Sequence, residues 1–358
     1  MANLFIIGNG FDLAHGIKSS YNDFKKYLHS YCGNESTHGF AIPSVYSKIK
    51  DTDDIETARM LIKLITIAEN GSYWSDLENS LGRIDYYRFF ERNAIDEYNK
   101  MVAQSLEISI IKIRYFFEKW IKTINYSNVE RIQSFYNLIN AEEDYFITFN
   151  YTSLLEEIYG AKKVCHIHGR TEDNIIFGYG DGNYPYFTEN DSQMCLHKLE
   201  CNDKSKLDII RNIQMFTIQQ GLFIRYRGYT LKNIVEDDFH LRYNKEAFNK
   251  ETFNKETLYE YINNCIKRAR FSLQKNVYAG LDNLIQFLNK EHNMCVNKIY
   301  SIGFSYSDVD MKAIKLISFL GGCEWNIDNY SEKRTNEYIL KVKKIFNNKI
   351  KTFDFKNC

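Results

Sequence analysis

Short apolar runs alternate with stretches of helical periodicity along this chain. The first run covers Leu4 to Ile7 and stops at Gly8. Runs that are short, apolar and closed by glycine are typical of parallel strands, because such strands are buried on both faces. Further strands are predicted at residues 145–149, 164–168, 175–177, 298–303, 324–327 and 351–355, of which 175–177 and 298–303 also close on glycine.

Helical periodicity fills the intervals between these runs. Apolar residues recur in steps of three and four at Leu106, Ile110 and Ile113, which is the spacing of one helix face. Alternating strands and helices predict an α/β fold with a Rossmann-like open, mostly parallel sheet and large helical insertions. Shorter helices are predicted from about residue 12 and over 152–159, 281–288, 309–320 and 333–346.

The long insertions define the domain organisation that we predict. Residues 183–270 are rich in charge and asparagine, and we interpret them as a second, mostly helical insertion. The whole chain, 1–358, is then a single elaborated domain. Its core is expected to consist of residues 1–30, 141–182 and 278–358, with helical insertions at about 51–140 and 183–270.

Composition narrows the class of protein. Lysine plus arginine equals aspartate plus glutamate at 46 each, so no general binding of nucleic acid is expected. The N-terminus lacks the pattern of a signal peptide and no apolar run is long enough to span a bilayer. We therefore expect a cytoplasmic protein without membrane contact. The 8 cysteines show no C-x-x-C spacing, which favours reduced thiols and no metal site.

The segment after the first strand carries the strongest chemical signal. Gly8, Asn9 and Gly10 form a G-x-G turn, and Gly16 follows after five further residues. Glycines at such a turn let the backbone approach a phosphate, and the next helix points its N–H groups at that anion. We expect this segment to bind a nucleotide, with a plain tight turn as the alternative. Asp12 either caps the helix or faces a ribose hydroxyl.

Polar residues also follow the next two predicted strands. Asn150 offers a donor and an acceptor to a ligand or a water, or else caps the following helix. His166 and His168 share one face of their strand, a spacing that could bind a metal. Because no third ligand stands nearby, we interpret His168 as a general base and His166 as a hydrogen-bonded core residue.

A later strand ends in Gly303 and leads into a loop of serines and aspartates. The G-x-S-x-G elbow of a hydrolase nucleophile is absent. We interpret the loop as a second ligand-contacting segment, in which Gly303 allows the turn and Ser305 and Asp308 form hydrogen bonds. The alternative is that Ser307 or Asp308 caps the following helix.

Taken together and in this order, these segments resemble the AbiH family of bacterial phage abortive-infection proteins. The resemblance runs from residue 4 to about residue 310 and implies a role in antiphage defence. The segments that carry it are 8–16 with 21–24, 149–152, 166–169 and 303–308, and Trp74-Ser-Asp-Leu-Glu78 is also similar to part of that family.

The same order resembles, more distantly, the sirtuin-like NAD-consuming domains used in antiphage defence. That resemblance implies a sirtuin-like core that binds NAD without a metal. Gly8, Gly10 and Gly16 would belong to the NAD loop, and Ser305 with Asp308 would contact the adenosine side.

The sirtuin-like resemblance also implies a reaction. Asn150 would position the nicotinamide ribose or the attacking water, and His168 would act as the base that hydrolyses NAD to nicotinamide and ADP-ribose. The alternative is a non-enzymatic module that senses a nucleotide and binds a partner. Phe11, Asp12 and Thr152 favour this alternative, because they differ from the residues usual at those positions in the sirtuin-like domains.

Other partners follow less directly from the sequence. A nuclease or an RNA-directed toxin ranks last, because the chain lacks a carboxylate cluster with metal spacing and a long basic run. A phage-derived trigger and association of the chain with copies of itself are both compatible with the resemblance.

Overall fold

The fold is described by a computed structural model that covers residues 2–32, 51–68, 77–82, 84, 96–170, 175–178, 255–273, 277–291, 294–320, 324–329 and 331–357. Within these ranges, its centre is a 6-stranded sheet whose paired strands all run parallel. The strands are β1 (Ala2–Ile7), β2 (Tyr145–Thr148), β3 (Lys163–His166), β4 (Val296–Ile302), β5 (Glu324–Asp328) and β6 (Lys349–Phe353).

The strand order is β3-β2-β1-β4-β5-β6. The chain builds outward from β1 in one direction through β2 and β3, and then returns to place β4 on the other side of β1. This is the order of doubly wound sheets, in which ligands bind beside the reversal point. The open parallel α/β sheet predicted from the apolar runs is therefore confirmed.

Helices connect and cover these strands. The described helices are α1 (Asn9–Ala14), α2 (Tyr21–Cys32), α3 (Asp51–Ala68), α4 (Leu77–Gly82), α5 (Asp96–Ile121), α6 (Gln133–Leu138), α7 (Leu154–Tyr159), α8 (Lys255–Leu273), α9 (Val277–Lys290), α10 (Met311–Ser318) and α11 (Glu332–Lys343).

The centre of the sheet is buried on both faces. Leu4 and Ile6 join an apolar cluster formed with α9, α10 and α11, whereas Phe5 and Ile7 join one formed with α1, α6 and α7. The ring of Phe5 stacks between those of neighbouring strands, with centroids 5.2 Å from Phe146 and 5.1 Å from Tyr300. Burial on both faces explains why β1 is apolar at every position from Leu4 to Ile7 rather than at alternate ones.

Helices α2, α3, α4, α5 and α8 pack around a third apolar cluster, and we call them the helical layer. Glu107 of α5 accepts two hydrogen bonds from Arg268 of α8, at 2.5 and 2.8 Å. Because α5 belongs to the first predicted insertion and α8 mostly to the second, the two insertions meet in one layer. We expected α2 in the core of the domain, but it joins the helical layer through Phe24. Conversely, α6 lies in the first predicted insertion, yet its Phe135 packs on the sheet.

The strand predicted at 175–177 is wrong. Residues 175–178 form no strand pairing, although the amide of Ile176 donates to the carbonyl of His168 at 2.8 Å. Ile175 and Phe177 turn toward the helical layer, and the ring of Phe177 stacks on Phe117 with centroids 4.2 Å apart. Burial against helices gives this segment the apolar run that we interpreted as a strand.

Candidate functional site

The turns after β1 and β4 meet at the point where the strand order reverses. The amide of Gly8 donates to the carbonyl of Ile302 at 3.0 Å, and that of Gly10 to the carbonyl of Gly303 at 2.9 Å. A Cβ atom on Gly10 would lie 2.7 Å from the Cα of Gly303, and one on Gly8 would lie 2.6 Å from the Cα of Phe304. The glycines thus let two backbone turns touch. Their amides donate to backbone carbonyls of the other turn and do not point into an open loop.

The other members of the predicted glycine loop lie farther from the strand ends. Asn9 is exposed, and its side chain exchanges hydrogen bonds with Ser19 at 2.7 and 3.2 Å. Gly16 follows α1 with a φ of +73°, and its amide donates to the carbonyl of Leu13 at 3.1 Å. A left-handed glycine whose amide donates to a carbonyl of the last helical turn is a helix C-terminal cap. The structure places Gly16 at the far end of α1 from Gly8.

Asp12, Asn150 and Thr152 form a buried network at the carboxyl ends of β1 and β2. The side-chain N–H₂ of Asn150 donates to Oδ1 of Asp12 at 2.8 Å and to the carbonyl of Gly8 at 3.1 Å. The hydroxyl of Thr152 donates to Oδ2 of Asp12 at 2.7 Å. Burial raises the pKa of Asp12 to about 7, although the hydrogen bonds from Thr152 and Asn150 and the nearby charge of His166 oppose this rise.

His168 lies beyond the end of β3 and is held between a carbonyl and a carboxylate. Its Nδ1 lies 3.0 Å from the carbonyl oxygen of Phe149, and its Nε2 lies 3.1 Å from Oδ1 of Asp310. Because a carbonyl only accepts, Nδ1 carries a proton. Nε2 and the carboxylate of Asp310 are therefore the groups of this pair that can bind a further proton. The hydroxyl of Ser307 donates to the other carboxylate oxygen of Asp310 at 2.7 Å.

The contact between His168 and Asp310 also determines the path of the loop that follows β4. Strands β1 and β2 lie between β4 and β3 in the sheet. The segment 303–310 therefore crosses the carboxyl ends of both strands to reach His168. The ring of Phe304 supports this path, since its centroid lies 4.5 Å from that of Phe149.

His166, the last residue of β3, repeats this arrangement with different partners. Its Nε2 lies 2.7 Å from Oε1 of Glu156, and its Nδ1 lies 3.4 Å from the carbonyl oxygen of Asn150. Burial opposes ionisation of Glu156, but the hydrogen bond and charge of His166 outweigh it and lower the pKa of Glu156. The geometry fits the expectation that His166 is a hydrogen-bonded interior residue.

Tyr151 connects the strand ends to the helical layer. Its hydroxyl donates to the carbonyl of Ile176 at 3.1 Å and to Glu78 at 3.4 Å. Its ring contacts those of Phe117 and His168, with centroid distances of 5.0 and 5.8 Å. The helical layer thus adjoins the carboxyl edge of the sheet, next to His168.

Two predicted contacts of the loop after β4 point to solvent. Ser305 is exposed, and the side chain of Asp308 is 97% exposed and lies 3.7 Å from the ammonium group of Lys341. The carboxylate that reaches the site from this loop is Asp310, which we did not single out. Ser307, which we considered only as a cap of the following helix, contacts this carboxylate instead.

Other features of the described residues bear on metals and membranes. Within the described ranges, no three histidine, cysteine, aspartate or glutamate side chains are grouped as a metal site would need. None of the described helices combines the length and the apolar character needed to cross a bilayer.

The segments that form this edge of the sheet fall within one known family. The model of the family described as bacteriophage abortive infection AbiH matches residues 4–321. The chain belongs to the AbiH family. No curated protein and no solved structure matches it significantly.

The AbiH match covers every residue of the site. It begins in β1 and ends after α10, so it includes Asp12, Asn150, His168 and Asp310. The AbiH description indicates a function in abortive infection by bacteriophage. The chemistry that an AbiH protein performs there has to be inferred from the groups at the site.

Proposed function

We propose that this edge of the sheet binds NAD or a closely related nucleotide and hydrolyses the bond between nicotinamide and ribose, as the effector step of abortive infection. One observation carries the proposal. Asp12, Asn150 and the pair His168–Asp310 meet at the carboxyl ends of the strands beside the reversal of strand order. Doubly wound sheets bind dinucleotides at this position.

The reaction needs a base but no acid. When the bond between the ribose C1′ and the pyridinium nitrogen breaks, its electron pair stays on nicotinamide and neutralises the ring. A water oxygen bonds to C1′ and releases one proton. With Nδ1 of His168 held by the carbonyl of Phe149, Nε2 and Asp310 are the groups that take up this proton.

Asn150 supplies orientation in this scheme. Its Oδ1 has no hydrogen-bond partner among the described residues and is buried. A ribose hydroxyl or a water that donates to this atom would be fixed relative to the base, and fixed geometry is itself a large part of the rate.

Release of nicotinamide from NAD by the purified full-length chain tests the proposal. His168→Ala is expected to lower the rate by about 100-fold or more, because a general base contributes that much. Exposed residues of the same type provide matched controls, namely His29→Ala and Asn137→Ala, and both should keep the wild-type rate. Protein that binds NAD in calorimetry but releases no nicotinamide, whether or not it comes from phage-infected cells, contradicts the proposal.

The second candidate function is a nucleotide sensor without turnover. It is favoured by His168, both of whose nitrogens face acceptors within the protein. A sensor would show saturable binding of NAD with unchanged ligand after prolonged incubation. Loss of binding, but not of stability, in Asn150→Ala would then assign the site without a reaction.

A further inference from the structure

Among the described residues, one polar side-chain atom of Asn150 has no partner. Its amide nitrogen in the backbone donates to Thr148 Oγ1 at 3.1 Å, and its carbonyl oxygen lies 3.4 Å from Nδ1 of His166. Its side-chain nitrogen donates to Gly8 and Asp12. The side chain is 95% buried, since its residue exposure is 5%, and its Oδ1 finds no donor within the described part of the chain. A buried acceptor left unpaired is costly, so an atom in this position calls for a ligand or a water.

The direction of the Asn150 side chain is fixed by its two acceptors. Reversing the amide would place Oδ1 against the carbonyl oxygen of Gly8 and the carboxylate of Asp12. Oxygen atoms without protons repel each other, so the reversed amide is excluded while Asp12 is ionised. Asn150 therefore presents an acceptor, and only a group with an O–H or N–H can satisfy it.

Of the two groups that accept from the Asn150 side chain, Asp12 is the one whose protonation state can change. Its pKa is raised to about 7 by burial, with Asn150 and Thr152 bound to its two oxygens. The titratable side chains that act on it from other elements are His166 of β3 and Tyr126 of the segment before α6. The carbonyl of Gly8 does not titrate, so proton uptake by Asp12 is what would weaken the hold on the amide.

We propose that Asp12 is a positioning residue that fixes the Asn150 amide, so that Oδ1 receives a hydrogen bond from a ligand hydroxyl or amide N–H. This inference rests on the proposed function and narrows it. In NAD the groups of this kind near the scissile bond are the hydroxyls of the nicotinamide ribose and the carboxamide NH₂.

The side-chain amide of Asn150 can be followed directly in protein labelled with 15N at asparagine. We expect its proton signals, assigned by their loss in Asn150→Ala, to titrate with a midpoint near pH 7. Thr152→Val should raise the midpoint, because the hydroxyl of Thr152 lowers the pKa of Asp12. Asp12→Asn retains an acceptor without a charge, so it should abolish the titration while the signals stay protected from exchange.

Two results would overturn the positioning role. One is the absence of any titration in the wild-type chain. The other is a titration that persists in Asp12→Asn, which would assign it to His166 instead. This experiment uses no nucleotide, so its outcome does not depend on whether NAD is bound.

Calorimetry with NAD and two analogues tests the ligand group. One analogue carries a methyl group in place of the carboxamide NH₂, and the other lacks the 2′-hydroxyl of the nicotinamide ribose. We expect one of them to bind the wild-type chain about tenfold more weakly than NAD, because it leaves Oδ1 unpaired. Asn150→Ala should bind that analogue and NAD equally.

Calorimetry distinguishes an error in the assigned ligand group from an error in the proposed function. Equal binding of NAD and both analogues to the wild-type chain would overturn the assigned ligand group, although NAD is bound. No binding of NAD at all would overturn the proposed function and the ligand group with it, whereas the titration of the Asn150 amide would still decide the role of Asp12.

Discussion

The backbone of Gly303 rests directly on that of Gly10. The amide of Gly10 donates to the carbonyl of Gly303 at 2.9 Å, and the φ of Gly303 is +59°. A Cβ atom on Gly303 would lie 2.3 Å from the amide nitrogen of Phe11. Two turns that are distant in sequence are thus joined without side chains, and they hold the strand ends that carry the site at a fixed separation.

Gly303→Ala should therefore destabilise the protein strongly. The new methyl group collides with backbone that cannot move independently, so we expect a loss of about 3 kcal/mol or more in the free energy of unfolding. Gly16→Ala is the matched control, because Gly16 has a φ of +73° but open space around it. It should cost only the left-handed backbone, about 1 kcal/mol. Equal losses in denaturant unfolding would show that the contact with Gly10 is not required.

The two aspartates of the loop after β4 provide a second matched pair. Asp310→Ala leaves Nε2 of His168 and the hydroxyl of Ser307 without the carboxylate that both contact. We expect a loss of about 1–3 kcal/mol in the free energy of unfolding. Asp308→Ala should leave stability unchanged, because that side chain is 97% exposed. Thermal unfolding of both variants measures the difference, and a stable Asp310→Ala protein would contradict the pairing with His168.

The stability of Asp12→Asn relative to the wild type should rise with pH. Burial raises the pKa of Asp12 from 3.8 to about 7, so between these values the folded chain holds a proton that the unfolded chain has lost. Raising the pH through this window penalises the folded wild type, and above about pH 7 the penalty is complete. At about 1.4 kcal/mol per pKa unit it reaches about 4 kcal/mol.

Unfolding of both proteins at several pH values checks this dependence. Other buried groups, such as Asp328 with its pKa raised to about 6, contribute equally to both chains and cancel in the difference. A stability difference that stays constant between about pH 4 and about pH 8 would mean that Asp12 titrates normally in the folded chain.

The ion pair between α5 and α8 should stabilise the helical layer. Arg268→Ala leaves the carboxylate of Glu107, only 5% exposed, without its two donors. We expect a loss of about 2–3 kcal/mol, because an unpaired buried charge is costly. Lys26→Ala removes an exposed pair with Asp23 and should cost only a small fraction of that amount. Chemical denaturation of the two variants compares them directly.

The sequence predicts where the strands lie along the chain better than it predicts which strands are neighbours in the sheet. Leu4 to Ile7 is apolar at every position because both faces of the sheet are covered there. Burial alone produces this signature, which is why residues 175–177 also predict a strand although Ile175 and Phe177 pack on helices. The order of the strands depends on contacts between distant segments, and no local pattern encodes it.

The residues of the candidate site likewise divide into those that the sequence indicates and those that only the structure reveals. Asn150 and His168 could be predicted, because polar residues that follow parallel strands gather at one edge of the sheet. Asp310 could not be chosen over Asp308 from the sequence. The turn between Gly303 and Asp310 decides which carboxylate faces inward, and Tyr306 within it adopts a φ of +52°, which composition does not indicate.

The position of β1 in the middle of the sheet also governs how the chain is made. β1 leaves the ribosome long before its partner β4, which begins only at Val296. One edge of β1 stays open until β4 is made, a condition that exposes nascent chains to mispairing. Because Asp310 follows β4, a polypeptide interrupted before that strand lacks the carboxylate that pairs with His168.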